Sequence, residues 1–107
     1  MSEPVVDRIK SAIEGSKVVI FMKGTPEAPR CGFSAASVEI LKSFPYPFKG
    51  VDILADSEMR ETLPGFSNWP TFPQIFIAGK LVGGCDILHE LRDSGELAGL
   101  LEQAFKK

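Results

Sequence analysis

Cys31 is the residue whose surroundings most favour chemistry. It follows the apolar run Val18-Val19-Ile20-Phe21-Met22 and a polar, proline-bearing segment from Lys23 to Arg30, and a helix should begin beside it. A sulfur at a helix N-terminus faces unsatisfied N–H groups and the positive end of the helix dipole. Arg30 adjoins it and Lys23 is nearby, so charge and dipole both favour the thiolate, the form that attacks electrophiles and ligates metals. A buried structural cysteine is the alternative, but the Pro-Arg approach and Gly32 behind the thiol argue against burial. Position 34 is Ser, and a hydroxyl cannot supply the second half of a C-x-x-C disulfide. Local two-thiol chemistry is thereby excluded.

Holding such a cysteine in place takes a core, and the chain can build one. Its 107 residues, 44% of them hydrophobic and including 8 Phe, suffice for a single domain over 1–107 and are too few for two. Twelve Lys and Arg against fourteen Asp and Glu, with no basic run, disfavour a nucleic-acid partner. No apolar run approaches the roughly 20 residues of a membrane helix. Met1-Ser2-Glu3-Pro4 begins neither a secretory signal nor an Arg-rich presequence, so a cytoplasmic protein with reduced thiols is expected. Two cysteines and one histidine are too few for a disulfide scaffold or a self-contained zinc site.

Val5, Ile9, Ala12 and Ile13 fall at helical spacing, with Ser2 as a cap and Gly15 as a stop. The unalternating run 18–22 reads as a strand buried on both faces. A second helix follows Cys31, with Ala35, Val38 and Leu41 or their neighbours inward, and ends before Pro45. Phe48 to Ile53 reads as a strand completing a right-handed strand–helix–strand unit. Ser57 should cap a short helix that stops at Pro64-Gly65. Gln74 to Ile77 and Lys80 to Val82 flank Ala78-Gly79 as a tight hairpin. A helix from about Asp86, with Leu88 and Leu91 inward, precedes a last one carrying Leu97, Leu100, Leu101 and Phe105. The expected fold is α/β, a four-stranded mixed sheet with helices on both faces.

Three stretches occur in order: Lys23-Gly24-Thr25-Pro26 through Cys31-Gly32-Phe33-Ser34, then Trp69-Pro70-Thr71-Phe72-Pro73-Gln74, then Gly83-Gly84-Cys85-Asp86. Together they resemble the monothiol (CGFS-type) glutaredoxins, in particular the single-domain bacterial kind, across essentially the whole chain. The resemblance implies the thioredoxin fold, glutathione binding, and a 2Fe–2S cluster assembled between two subunits.

It further implies that Lys23 and Arg60 meet a glutathione carboxylate, although on sequence alone Arg60 reads as a solvated helix residue. Phe72 would offer its main chain beside a cis Pro73, as an added strand would. Cys85 and Asp86, after Gly83-Gly84, would hold the γ-glutamyl end by backbone N–H groups and carboxylate, Asp86 otherwise being an ordinary helix cap. A Cys31–Cys85 disulfide stays open as an oxidised form. His89 is assigned no role, and Trp69 is expected to shape the loop before Pro73.

A 2Fe–2S centre takes four thiolates, so two Cys31 and two glutathione thiolates would complete the set in a homodimer. The leading expectation is a cluster carrier serving apo iron–sulfur acceptors, with a BolA-type partner implied by the resemblance. The alternative is an oxidoreductase that removes glutathione from protein mixed disulfides through Cys31. The segment from Gly24 to Arg30 is longer than the resemblance implies for dithiol relatives, which ranks the enzyme second.

Overall fold

The computed structural model describes residues 3–106. Its elements run α1 (Glu3–Glu14), β1 (Val18–Met22), β2 (Gly24–Thr25), β3 (Ala28–Pro29), α2 (Gly32–Lys42), β4 (Lys49–Asp52), α3 (Ser57–Ser67), β5 (Gln74–Ile77), β6 (Lys80–Gly83), α4 (Cys85–Ser94) and α5 (Glu96–Phe105). The main sheet has the order β4-β1-β5-β6: β4 lies parallel to β1, and β5 and β6 follow antiparallel. This is the mixed four-stranded sheet that the sequence pattern calls for.

β1 is central, and all five of its residues are buried because both faces are covered. Val18, Ile20 and Met22 pack with Val38, Ile40 and Leu41 of α2, Leu88 of α4 and Leu97 and Leu101 of α5. Val19 and Phe21 point the other way, into Val5, Ile9 and Ile13 of α1 and Met59 and Leu63 of α3. Period-two alternation thus divides one apolar run between two cores. Phe21 meets Phe76 of β5 edge-on, ring centroids 5.5 Å apart.

Several local expectations are corrected. The segment before Cys31 is a small hairpin, with Gly24 opposite Pro29 and Thr25 opposite Ala28. The parallel strand is shorter than 48–53, and Phe48 packs against the core from outside it. On α2 the buried residues are Ser34, Ser37, Val38, Ile40 and Leu41, while Ala35 is half-buried. Asp56 caps α3 instead of Ser57, its side chain accepting the Met59 N–H at 3.1 Å. That helix also runs through Pro64 to Ser67 and closes on Asn68 in the left-handed region. The proline removes one N–H at the exposed Arg60 side, but buried Leu63 and the packing of Phe66 hold the last turn. α4 starts at Cys85, with Gly84 as its N-cap, so Asp86 is not the cap. Leu100 is exposed. The Ser2 cap lies outside the described residues.

α1 is tied to α3 across the sheet face: Arg8 Nη2 stands 3.2 Å from Asp56 Oδ1 and 3.1 Å from Glu58 Oε1. The Met59 N–H, followed by the Arg8 guanidinium, holds the Asp56 carboxyl below its usual range. Asp56→Ala should cost about 1 kcal/mol of stability at neutral pH. A depressed folded pKa gives stability that is present above the unfolded pKa of about 3.9 and is lost as pH falls below it. Urea denaturation should therefore show the gap between native chain and variant shrinking in strong acid. An undiminished gap there would remove the charge from this account.

Candidate functional site

Cys31 occupies the N-cap position of α2, with extended backbone at φ −149° and ψ 137°. An Asn, Asp or Ser cap would there accept the N–H of the second or third helical residue. The neutral thiol makes no such bond, but a thiolate in its place is stabilised by those same donors. The Cys31 pKa is accordingly lowered, first by the Ser34 N–H and then, against a partial burial that opposes ionisation, by the Phe33 N–H, the Ser34 hydroxyl and the Lys23 charge. Peptide donors outweigh the neighbouring cation. Arg30 is exposed, and its N–H closes the hairpin on the Lys23 carbonyl at 2.9 Å.

Ser34 has a second function that the loss of a C-x-x-C thiol did not disclose. It is 0% exposed, and its Oγ accepts the Lys23 N–H at 3.2 Å. A polar residue on the inward stripe of α2 was the available signal.

A groove of about 600 Å³ opens beside the thiol. Its walls bring together Lys23 at the end of β1, Cys31 and Phe33 at the start of α2, Arg60 and Pro64 of α3, Trp69 to Pro73, and Gly84 to Ile87 at the start of α4. All six residues singled out from the sequence, Lys23, Cys31, Arg60, Phe72, Cys85 and Asp86, line this one groove. Arg60 is exposed, and among the described residues its side chain makes no ion pair. The Phe72–Pro73 peptide is cis, and the Phe72 main chain enters no hydrogen bond among the described residues. Asp86 lies in the first turn of α4, exposed. Cys85 and Cys31 are both free and half-buried.

The loop before Pro73 is held from beneath. Gln74, 0% exposed, donates from Nε2 to the carbonyls of Trp69 and Thr71 at 3.0 and 3.2 Å. The Trp69 indole is half-buried at this loop, and its buried Nε1 has no partner among the described residues. Gly84 lets the start of α4 approach it: a Cβ there would stand 3.2 Å from the Pro73 carbonyl oxygen and 3.4 Å from Trp69 Nε1. His89 is exposed on α4, 3.4 Å from the Asp93 carboxylate and away from the groove. Phe33 is 64% exposed beside the thiol. No helix among the described residues is long and apolar enough to cross a membrane.

Residues 18–82 match the family Glutaredoxin. The chain is 46% identical to Glutaredoxin 4 of Haemophilus ducreyi, over 95% of each chain. It is 51% identical to the probable monothiol glutaredoxin 2 of Rickettsia typhi, over 92% of this chain and 88% of that one. It spans only about a fifth of the length of the rice and Arabidopsis monothiol glutaredoxins that it also matches, 21% and 20%. Among solved structures, reduced apo GrxS14 of poplar superposes with a TM-score of 0.86 at 44% identity, covering 98% of this chain and 97% of that one.

The Cys31 environment predicts its reactivity. The rate of alkylation by iodoacetamide, followed at Cys31 by peptide mass spectrometry, should rise with pH around a midpoint below that of an ordinary thiol. Ser34→Ala should move that midpoint up, and Lys23→Gln should move it up less. A midpoint unchanged by Ser34→Ala would remove the hydroxyl from the site's electrostatics.

Proposed function

Because this chain is a monothiol member of the glutaredoxin family, we propose that it is a glutathione-dependent carrier of 2Fe–2S clusters, working as a homodimer. The observation that carries this reading is the charge make-up of the groove: Cys31 shares its lining with two cations, Lys23 and Arg60, and with the Asp86 carboxylate. Glutathione has a complementary outline, two carboxylates and an ammonium around a central thiol.

The chain's residues divide that work. Lys23 and Arg60 hold the glycine carboxylate by charge-assisted hydrogen bonds. The Phe72 N–H and C=O pair with the extended cysteinyl residue. Backbone N–H groups at Cys85 and Asp86 take the γ-glutamyl carboxylate at the α4 N-terminus, and the Asp86 carboxylate takes the ammonium. Bound glutathione supplies a second thiolate beside Cys31. Ser34 and Phe33 favour the Cys31 thiolate, and the buried hydroxyl at position 34 offers the sulfur no internal disulfide partner.

The cargo requires four thiolates, and the chain has two cysteines. Two subunits with two glutathiones meet that requirement through Cys31 alone, leaving Cys85 to the tripeptide. A cluster held half by exchangeable small molecules passes more readily to an apo acceptor than one held by four protein cysteines. Acceptors of this kind, a BolA-type partner and a reducing, cytoplasmic setting belong to the same proposal.

Anaerobic reconstitution with iron, sulfide and glutathione should give a coloured dimer by size-exclusion chromatography, and colour should fail when glutathione is withheld. Cys31→Ser should abolish the colour, because a hydroxyl is a poor iron ligand, whereas Cys85→Ser should largely keep it. A coloured monomer, or the reverse order of the two variants, overturns the ligand set.

Transfer separates carrier from enzyme. The loaded protein should convert an apo-ferredoxin acceptor within minutes, while turnover of a glutathionylated model peptide by the apo protein should be slow. Rapid deglutathionylation with no transfer would make oxidoreductase chemistry the function.

A further inference from the structure

Lys23 is tied through its main chain on both sides. Its N–H goes to Ser34 Oγ at 3.2 Å, and its carbonyl receives the Arg30 N–H at 2.9 Å. The next peptide N–H, of buried Gly24, goes to Asp52 Oδ1 at 2.9 Å. The same oxygen accepts the Leu54 N–H, also at 2.9 Å, so one carboxylate at the end of β4 pins both its own turn and the first residue of the 24–29 hairpin. Nearby, Gly50 of β4 seats Pro26, since a Cβ at Gly50 would run into the proline ring. The hairpin between Lys23 and Cys31 is thus docked on β4 at two points, and Asp52 itself stands outside the lining of the groove.

We propose that Asp52 is a positioning residue for the tripeptide site: by holding the Gly24 peptide it aims the Lys23 ammonium at a carboxylate of the ligand. The inference rests on the glutathione-binding reading above and adds to it a residue that does not touch the ligand. Two N–H groups share one oxygen, so the requirement is for an acceptor and not for a charge. Asparagine meets it. Alanine leaves a buried N–H without a partner and frees the hairpin to shift, and Lys23 with it.

The test uses S-methylglutathione, which cannot ligate iron as a thiolate or exchange disulfides, with binding to the apo chain read by calorimetry. Asp52→Ala should weaken binding about tenfold and Asp52→Asn by less than about twofold. In a Lys23→Gln background, Asp52→Ala should add almost nothing, because the two residues act in series. Hydrogen exchange should quicken at Gly24 in Asp52→Ala while the amides of Val19 and Ile75 in the sheet stay protected. Should that variant lose protection throughout, Gly50→Ala displaces Pro26 from the other docking point and should give the same weakening and the same non-additivity. Binding that survives Asp52→Ala, losses that multiply with Lys23→Gln, or an Asn variant as weak as Ala each overturn the inference alone. A native chain that takes up no S-methylglutathione overturns the functional reading and the inference with it.

Discussion

One hydrogen bond ties the helix that bears the reactive cysteine to the sheet: the Lys23 N–H to the Ser34 hydroxyl, 3.2 Å, between the end of β1 and the first turn of α2. Ser34 is wholly buried, so its hydroxyl has no alternative partner in solvent and screening of the bond by water is reduced. It fixes the N-terminus of α2 against the most buried strand of the sheet. Cys31 then stands where the helix's first N–H groups converge, and those groups favour its thiolate.

The groove is an assembly of separate chain segments, each aimed by a core contact of its own. Arg60 is carried by α3, which buried Leu63 and Met59 and the Arg8–Asp56 pair hold against α1 and β1. The Trp69–Pro73 loop rests on Gln74, and α4 closes in because Gly84 has no Cβ to meet the Trp69 indole and the Pro73 carbonyl. Because α3 and α4 are anchored in the core, the backbone that carries Arg60 and Asp86 is placed by folding. The exception is the hairpin beside Lys23, which has few core residues and depends on polar and steric contacts with β4.

The elements whose signals are local were legible in the sequence. β1 is five consecutive apolar residues, and no register or partner could leave any of them comfortably in water. The α2 start at Cys31, the Ala78-Gly79 turn and the two last helices are likewise written in neighbouring residues, and the three motif stretches carried the family and five of the six residues singled out, Arg60 coming from the resemblance alone. What stayed illegible depends on distant partners. The 24–29 hairpin reads as loop because its docking oxygen is 28 residues away on Asp52 and its docking surface is Gly50. Pro64-Gly65 reads as a stop because the packing of Leu63 and Phe66 that overrides it lies on other elements. Ser34 stands out in the sequence as a missing thiol and as a polar residue on an inward stripe, but nothing in its neighbours shows that its hydroxyl meets the Lys23 peptide. Residue types and spacing determined which chemistry this chain can do, because reactivity is a property of side chains. Only the tertiary structure decided where those side chains meet, because burial and hydrogen bonding link residues according to distance in space.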